Sequence, residues 1–159
     1  MNYLLCDKYE IFPFFASIQQ LKAKRVLDLG MVLHGCGAIS RFVADAAIEP
    51  DVFLCGITGA FDETPGVYHA IYNEVLTPEE LLSERSSTNH FDLSLCFFPG
   101  FLEDKSTVLL PFLKSHTSRL LCRKDAEKTI HSFFSNEQIR PVTYEGYHFL
   151  MVTMKEVTS

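Results

Sequence analysis

Asp28 and Gly30 close a short apolar run that begins at Arg25, and a second pair of glycines, Gly35 and Gly37, brackets Cys36 a few residues on. Glycines directly after a strand let the backbone approach a ligand, and the first turn of a following helix offers it unpaired N–H groups. The acid narrows the choice of ligand. A carboxylate at Asp28 opposes a pyrophosphate lying on the same turn, whereas a ligand carrying an ammonium group gains from it. Gly35-Cys36-Gly37-Ala38-Ile39-Ser40 matches only part of the G-x-G-x-x-G pattern of dinucleotide binders, because Ser40 stands where the last glycine belongs.

Other reactive side chains are scattered. His34, beside the glycines, and His69 are the histidines nearest the strand ends where ligands bind in sheets of this kind, and each is read first as a solvated loop residue. His34 and Cys36 alternate as half a metal site would, but no second pair with ligand spacing completes it, so no metal is expected. No G-x-S-x-G occurs, which removes the basis for a hydrolase with a nucleophile elbow. Glu79, Glu80 and Glu84 read as the solvated start of a helix, and Tyr3, Phe12, Phe14 and Phe15 as packing surface.

The elements that must position these residues follow from alternating periodicities. Helical spacing covers 13 to 23, with Pro13 in the first turn, and a strand follows over 25 to 29. Ile39, Phe42, Val43, Ala46 and Ala47 share a helical face that Pro50 ends. A continuous apolar run over 52 to 57 reads as a buried strand, and strand-like content recurs over 67 to 75. Thr77-Pro78-Glu79-Glu80 starts a short helix to about 85. A strand over 91 to 98 stops at Pro99-Gly100, a helix spans 103 to 114, and a strand follows over 118 to 122. After a helix over 125 to 135, strands over 140 to 144 and 147 to 155 flank Glu145-Gly146 as a hairpin. Seven strands alternating with helices until this final pair predict one α/β domain, with a mostly parallel sheet ending in an antiparallel hairpin.

Composition sets the boundaries. A chain of 159 residues fits a single domain that buries its own core. The hydrophobic share of 47%, with 14 Phe, exceeds what a monomer of this size needs to hide, so a homodimer is expected. A formal net charge of -6 disfavours nucleic acid as a partner, and no apolar stretch reaches membrane-span length. Asp7, Lys8 and Glu10 break the apolar run a signal peptide would need, which points to the cytoplasm. Five cysteines without C-x-x-C spacing read as reduced thiols, with Cys55, Cys96 and Cys122 buried inside strands.

These residues carry a resemblance. Val26-Leu27-Asp28-Leu29-Gly30 resembles the first strand and glycine turn of class I S-adenosylmethionine (SAM) methyltransferases. Cys36-Gly37-Ala38 resembles the rest of that motif, displaced by the five residues from Met31 to Gly35. Phe91-Asp92-Leu93-Ser94-Leu95 resembles the family's fourth strand, Leu109 to Leu121 its helix, turn and fifth strand, and the Glu145-Gly146 hairpin its ending, so the likeness spans 13 to 155.

The resemblance implies a Rossmann-like methyltransferase domain with SAM as cofactor and an unknown methyl acceptor. It places Asp28, Gly30, Gly35 and Gly37 around SAM and Asp92 at the fourth strand. Thr58-Gly59 stands where the family carries its ribose-binding acid, with Asp62 and Glu63 the nearest acids and Asp62 placed near the ribose, and no catalytic residue is assigned. Phe97-Phe98-Pro99-Gly100 lacks the Asn or Asp that amino methyltransferases place ahead of Pro-Pro, which argues against methylation of a base or amide nitrogen by that route. The displaced second half of the motif keeps an alternative open: a non-catalytic domain of this fold that binds SAM, a nucleotide or a protein partner.

Overall fold

The computed structural model describes residues 11–31, 52–57, 72–83, 90–97 and 99–154. Among them the elements run α1 (Ile11–Leu21), β1 (Arg25–Leu29), β2 (Phe53–Ile57), β3 (Glu74–Leu76), α2 (Pro78–Leu81), β4 (Leu93–Cys96) and α3 (Pro99–His116). Then follow β5 (Arg119–Arg123), a 3-10 turn (Lys124–Ala126), α4 (Glu127–Phe133), a second 3-10 turn (Asn136–Gln138), β6 (Ile139–Tyr144) and β7 (Tyr147–Thr153). The seven strands form one sheet in the order β3-β2-β1-β4-β5-β7-β6. β1 to β5 pair in parallel, and β7 runs antiparallel to both β5 and β6. This is the α/β architecture expected from the alternating periodicities. The helix expected over 39 to 47 lies outside the described residues.

Several boundaries have local causes. α1 ends at Leu21 because Lys22 adopts a left-handed φ of 52°, from which Lys22 N–H donates to Gln19 O at 3.2 Å and Ala23 N–H to Ile18 O at 3.1 Å. That pair of backward bonds is a Schellman closure made without a glycine. α2 starts as its residues foretell: Glu80 N–H donates to Thr77 Oγ1 at 3.1 Å while Thr77 N–H donates to Glu80 Oε1 at 3.0 Å. Pro99 opens α3 rather than merely stopping β4, so that helix is longer than its apolar spacing predicts. At the hairpin Glu145 and Gly146 have φ of 51° and 82°, the backbone of a type I′ turn, and Pro141 is tolerated because β6 is the edge strand.

β4 is shorter than the 91 to 98 reading. Phe91 makes only an isolated bridge to Thr117, and Asp92 N–H donates to Arg25 O at 2.9 Å. β3 is three residues long, and the 67 to 71 part of its expected range lies outside the described residues. The core is aromatic in its centre: Phe97 stacks on Phe149 with ring centroids 4.9 Å apart, and Phe14 from α1 meets Phe97 edge-on at 6.2 Å. Pairs of this kind contribute roughly 0.5–1.5 kcal/mol beyond the area they bury. No described helix is long and apolar enough to cross a membrane.

Candidate ligand site at the carboxyl end of the first strand

β1 lies between β2 and β4, and chain order reverses across it: β2 and β3 extend to one side, β4 and β5 to the other. The crevice outside the carboxyl ends of two such strands is where open α/β sheets bind ligands, since the loops leaving them diverge. Asp28 and Gly30 stand at that point. Asp28 pairs in register with Gly56 on β2 and Leu95 on β4. Gly30 takes a φ of 84°, and its N–H donates to Ile57 O at 3.0 Å, so the turn is tied to β2. Met31 follows with a φ of 61°, strained for a side chain with a Cβ, and is almost fully buried. The first of the five inserted residues is therefore folded into the core.

The Asp28 carboxylate is wholly buried. Tyr72, just ahead of β3, donates its hydroxyl to Asp28 Oδ2 at 2.7 Å. Its ring lies across β2 at Gly56, where an added Cβ would come within 3.1 Å of two ring carbons and 3.2 Å of Met31 Cγ. Gly56 thus opens a slot in the sheet face that Tyr72 and Met31 fill, and the slot carries the phenol to the acid. In the sequence Tyr72 is only one residue of the strand-like content over 67 to 75. A glycine inside the apolar run of β2 was the available signal that another group approaches there.

Asp92 requires a correction. It was expected beside the cofactor, but the parallel register sets it next to Arg25, at the start of β1 and β4 and so at the opposite edge of the sheet from Gly30. There Asp92 Oδ2 accepts from Lys24 N–H at 2.7 Å and Arg25 N–H at 3.0 Å. It anchors the entry to β1. Arg25 is held alongside, its guanidinium carbon 4.4 Å from the Phe53 ring centroid and its Nε donating to His90 O at 3.1 Å. Gly35, Gly37, Thr58 and Asp62, like His34, Cys36 and His69, lie outside the described residues.

Reactive groups elsewhere in the sheet serve packing. Cys55, Cys96 and Cys122 are buried and form no disulfide, as their places in apolar runs predict. Burial, helped by Glu74 and opposed by Arg25, pushes the Cys55 thiol up to about 12, and burial drives Cys122 well above its ordinary value. Neither offers a thiolate near neutral pH. Ser94 donates to Thr117 Oγ1 at 3.0 Å, and Thr117 in turn to Arg119 O at 3.1 Å, so these buried hydroxyls are used internally.

The site can attract a cation and present a close backbone turn to a ligand. Its residues fit the amino end of SAM in charge and backbone shape, since an uncovered Asp28 would pair with an ammonium and Gly30 carries no side chain to block approach. The fit has a condition: Asp28 is wholly buried, so an ammonium reaches it only when the side chains over it move.

No family model matches the sequence, and no curated protein matches it either. Solved structures do match in fold. A Klebsiella pneumoniae protein assigned as an O-methyltransferase superposes with a TM-score of 0.58 at 12% identity, over 92% of this chain and 80% of that one. The O-methyltransferase TomG from Streptomyces achromogenes, solved with SAM, gives 0.54 at 14% identity, over 96% and 82%. A Bacillus cereus O-methyltransferase in complex with SAH gives 0.52 at 13% identity, over 94% and 82%. The chain has the Rossmann-like fold of class I methyltransferases.

Proposed function

We propose that this domain binds SAM at the β1 turn and transfers its methyl group to an unidentified acceptor. The observation that carries the reading is the acid and glycine of Asp28 and Gly30 at the switch point of a sheet ordered β3-β2-β1-β4-β5-β7-β6. Bound SAM supplies an activated methyl group, so the protein's main task is alignment, with a base needed only if the acceptor must lose a proton. Asp28 would hold the amino end of the cofactor and Gly30 would admit it close to the backbone. Gly35 and Gly37 would continue the cradle, with Thr58 and Asp62 beside the ribose.

The reading includes a homodimer in the cytoplasm. Phe12 is 55% exposed on α1 and Val108 44% exposed on α3, apolar surface that a second copy would cover. Free buried thiols suit a reducing compartment. A second reading, a non-catalytic domain of the same fold, draws support from the burial of Asp28 beneath Tyr72.

Calorimetry of the whole chain with SAM and with SAH tests the proposal. Binding that Asp28→Asn abolishes while the variant still melts cooperatively is the expected result, and absence of heat from either ligand at millimolar concentration overturns it. With binding established, transfer of labelled methyl to any of a panel of hydroxyl-bearing small molecules separates an enzyme from a binding domain.

A further inference from the structure

The opposite edge of the sheet holds a cleft of about 640 Å³ whose lining includes Lys22, Lys114, Arg119, His90, Ser118 and Asp92. Its place follows from topology. Lys22 precedes β1, Asp92 precedes β4, Ser118 and Arg119 enter β5, and Lys114 lies in the last turn of α3, so all gather where the parallel strands begin. The cleft is distinct from the Asp28 turn at the strands' other end.

Its charge runs against the chain as a whole. The formal net charge is -6, yet three permanent cations meet here with a single carboxylate, and that carboxylate already accepts from the Lys24 and Arg25 N–H groups. Among the described residues neither Lys22, Lys114 nor Arg119 makes an ion pair with an acid. Lys114 instead rests its ammonium 5.3 Å from the Phe134 ring centroid and 5.9 Å from that of Phe133. Ser118 Oγ lies 2.8 Å from His90 Nε2, which holds a hydroxyl at the same wall. Cationic residues outnumber the one acid along the cleft, and that excess favours an anion.

We propose that this cleft is a binding site for a small phosphorylated molecule. A guanidinium offers paired N–H donors that match two oxygens of a phosphate, and Lys22 adds a point charge. A volume of about 640 Å³ exceeds what a bare ion fills and suits a phosphate ester with an organic body. The inference is independent of SAM binding.

Calorimetry of the whole chain with glycerol 3-phosphate, and with inorganic phosphate for comparison, at ionic strength held constant with potassium chloride, tests it. Saturable binding is expected, at least as tight for the ester as for phosphate. Lys22→Gln and Arg119→Gln should each weaken it about tenfold or more, the loss of one charge-assisted bond. Asp28→Asn should leave it unchanged, which separates this cleft from the β1 turn. Lys22 is exposed on a turn, so its variant serves even if Arg119→Gln fails to fold. Absence of saturable binding to the unmodified chain, or affinity unchanged in Lys22→Gln, overturns the proposal.

Discussion

Tyr72 and Asp28, separated by 44 residues in the chain, meet in the core with the phenol oxygen 2.7 Å from Asp28 Oδ2. Both residues are buried, so the bond forms where water cannot replace it. Tyr72→Phe keeps the ring in its slot and leaves one carboxylate oxygen short of a donor. A destabilisation of about 1–3 kcal/mol is expected, more than a neutral surface hydrogen bond would contribute. Urea denaturation measures it, and a cycle with Asp28→Asn isolates the pair. Unchanged stability in Tyr72→Phe would mean that the bond contributes nothing.

Gly56→Ala tests the slot itself. The new methyl would lie 3.1 Å from Tyr72 ring carbons and 3.2 Å from Met31 Cγ, tighter than core packing allows. The ring and the thioether must both give way. Overpacking of this kind costs roughly 1–3 kcal/mol, and here it also pushes the phenol from Asp28. A lowered urea midpoint, with part of the loss absent when Tyr72 is already Phe, is the expected pattern.

Apolar periodicity made the sheet legible because the central parallel strands are buried and read as short apolar runs, as β2 and the middle of β5 do. The hairpin was equally plain, since Glu145-Gly146 supplies the backbone its turn requires. The Asp28 pairing was not legible: it depends on Tyr72 lying across Gly56 of β2, and nothing local to Tyr72 encodes that. Asp92 was misplaced for another reason. Its neighbours identify a strand, but only the register against Arg25 tells which edge of the sheet the acid occupies.

Asp92→Ala should therefore behave as a structural variant. Two backbone N–H groups, of Lys24 and Arg25, lose their acceptor, and because one bond is exposed and the other only part-buried the cost is on the order of 0.5–1.5 kcal/mol. SAM affinity at the far edge should stay as it is. A variant of normal stability that no longer binds SAM would restore Asp92 to the cofactor site.

The thiols set a pH dependence. Burial, the larger cause, raises Cys55 from 9.0 to about 12 in the folded chain, so the unfolded chain loses this proton first as the pH rises. Folding stability is unaffected by Cys55 below pH 9.0 and falls between 9.0 and about 12. The slope is on the order of 1.4 kcal/mol per pH unit once the unfolded thiol is ionised. Denaturation midpoints across that window should decline less steeply in Cys55→Ala than in the unmodified chain; equal slopes would count against the shift.

Tyr72→Phe also bears on ligand binding, in the direction opposite to its effect on folding. The phenol occupies one oxygen of Asp28, and a ligand ammonium that uses that oxygen competes with it. Removing the hydroxyl removes that competition. The proposal at the β1 turn therefore expects SAM and SAH to bind several-fold more tightly to Tyr72→Phe than to the unmodified chain. Adenosine, which lacks the amino acid end, should bind both alike. Calorimetry with the three ligands checks this, and weaker SAM binding in the variant would place the phenol among the groups that hold the cofactor instead of those that exclude it.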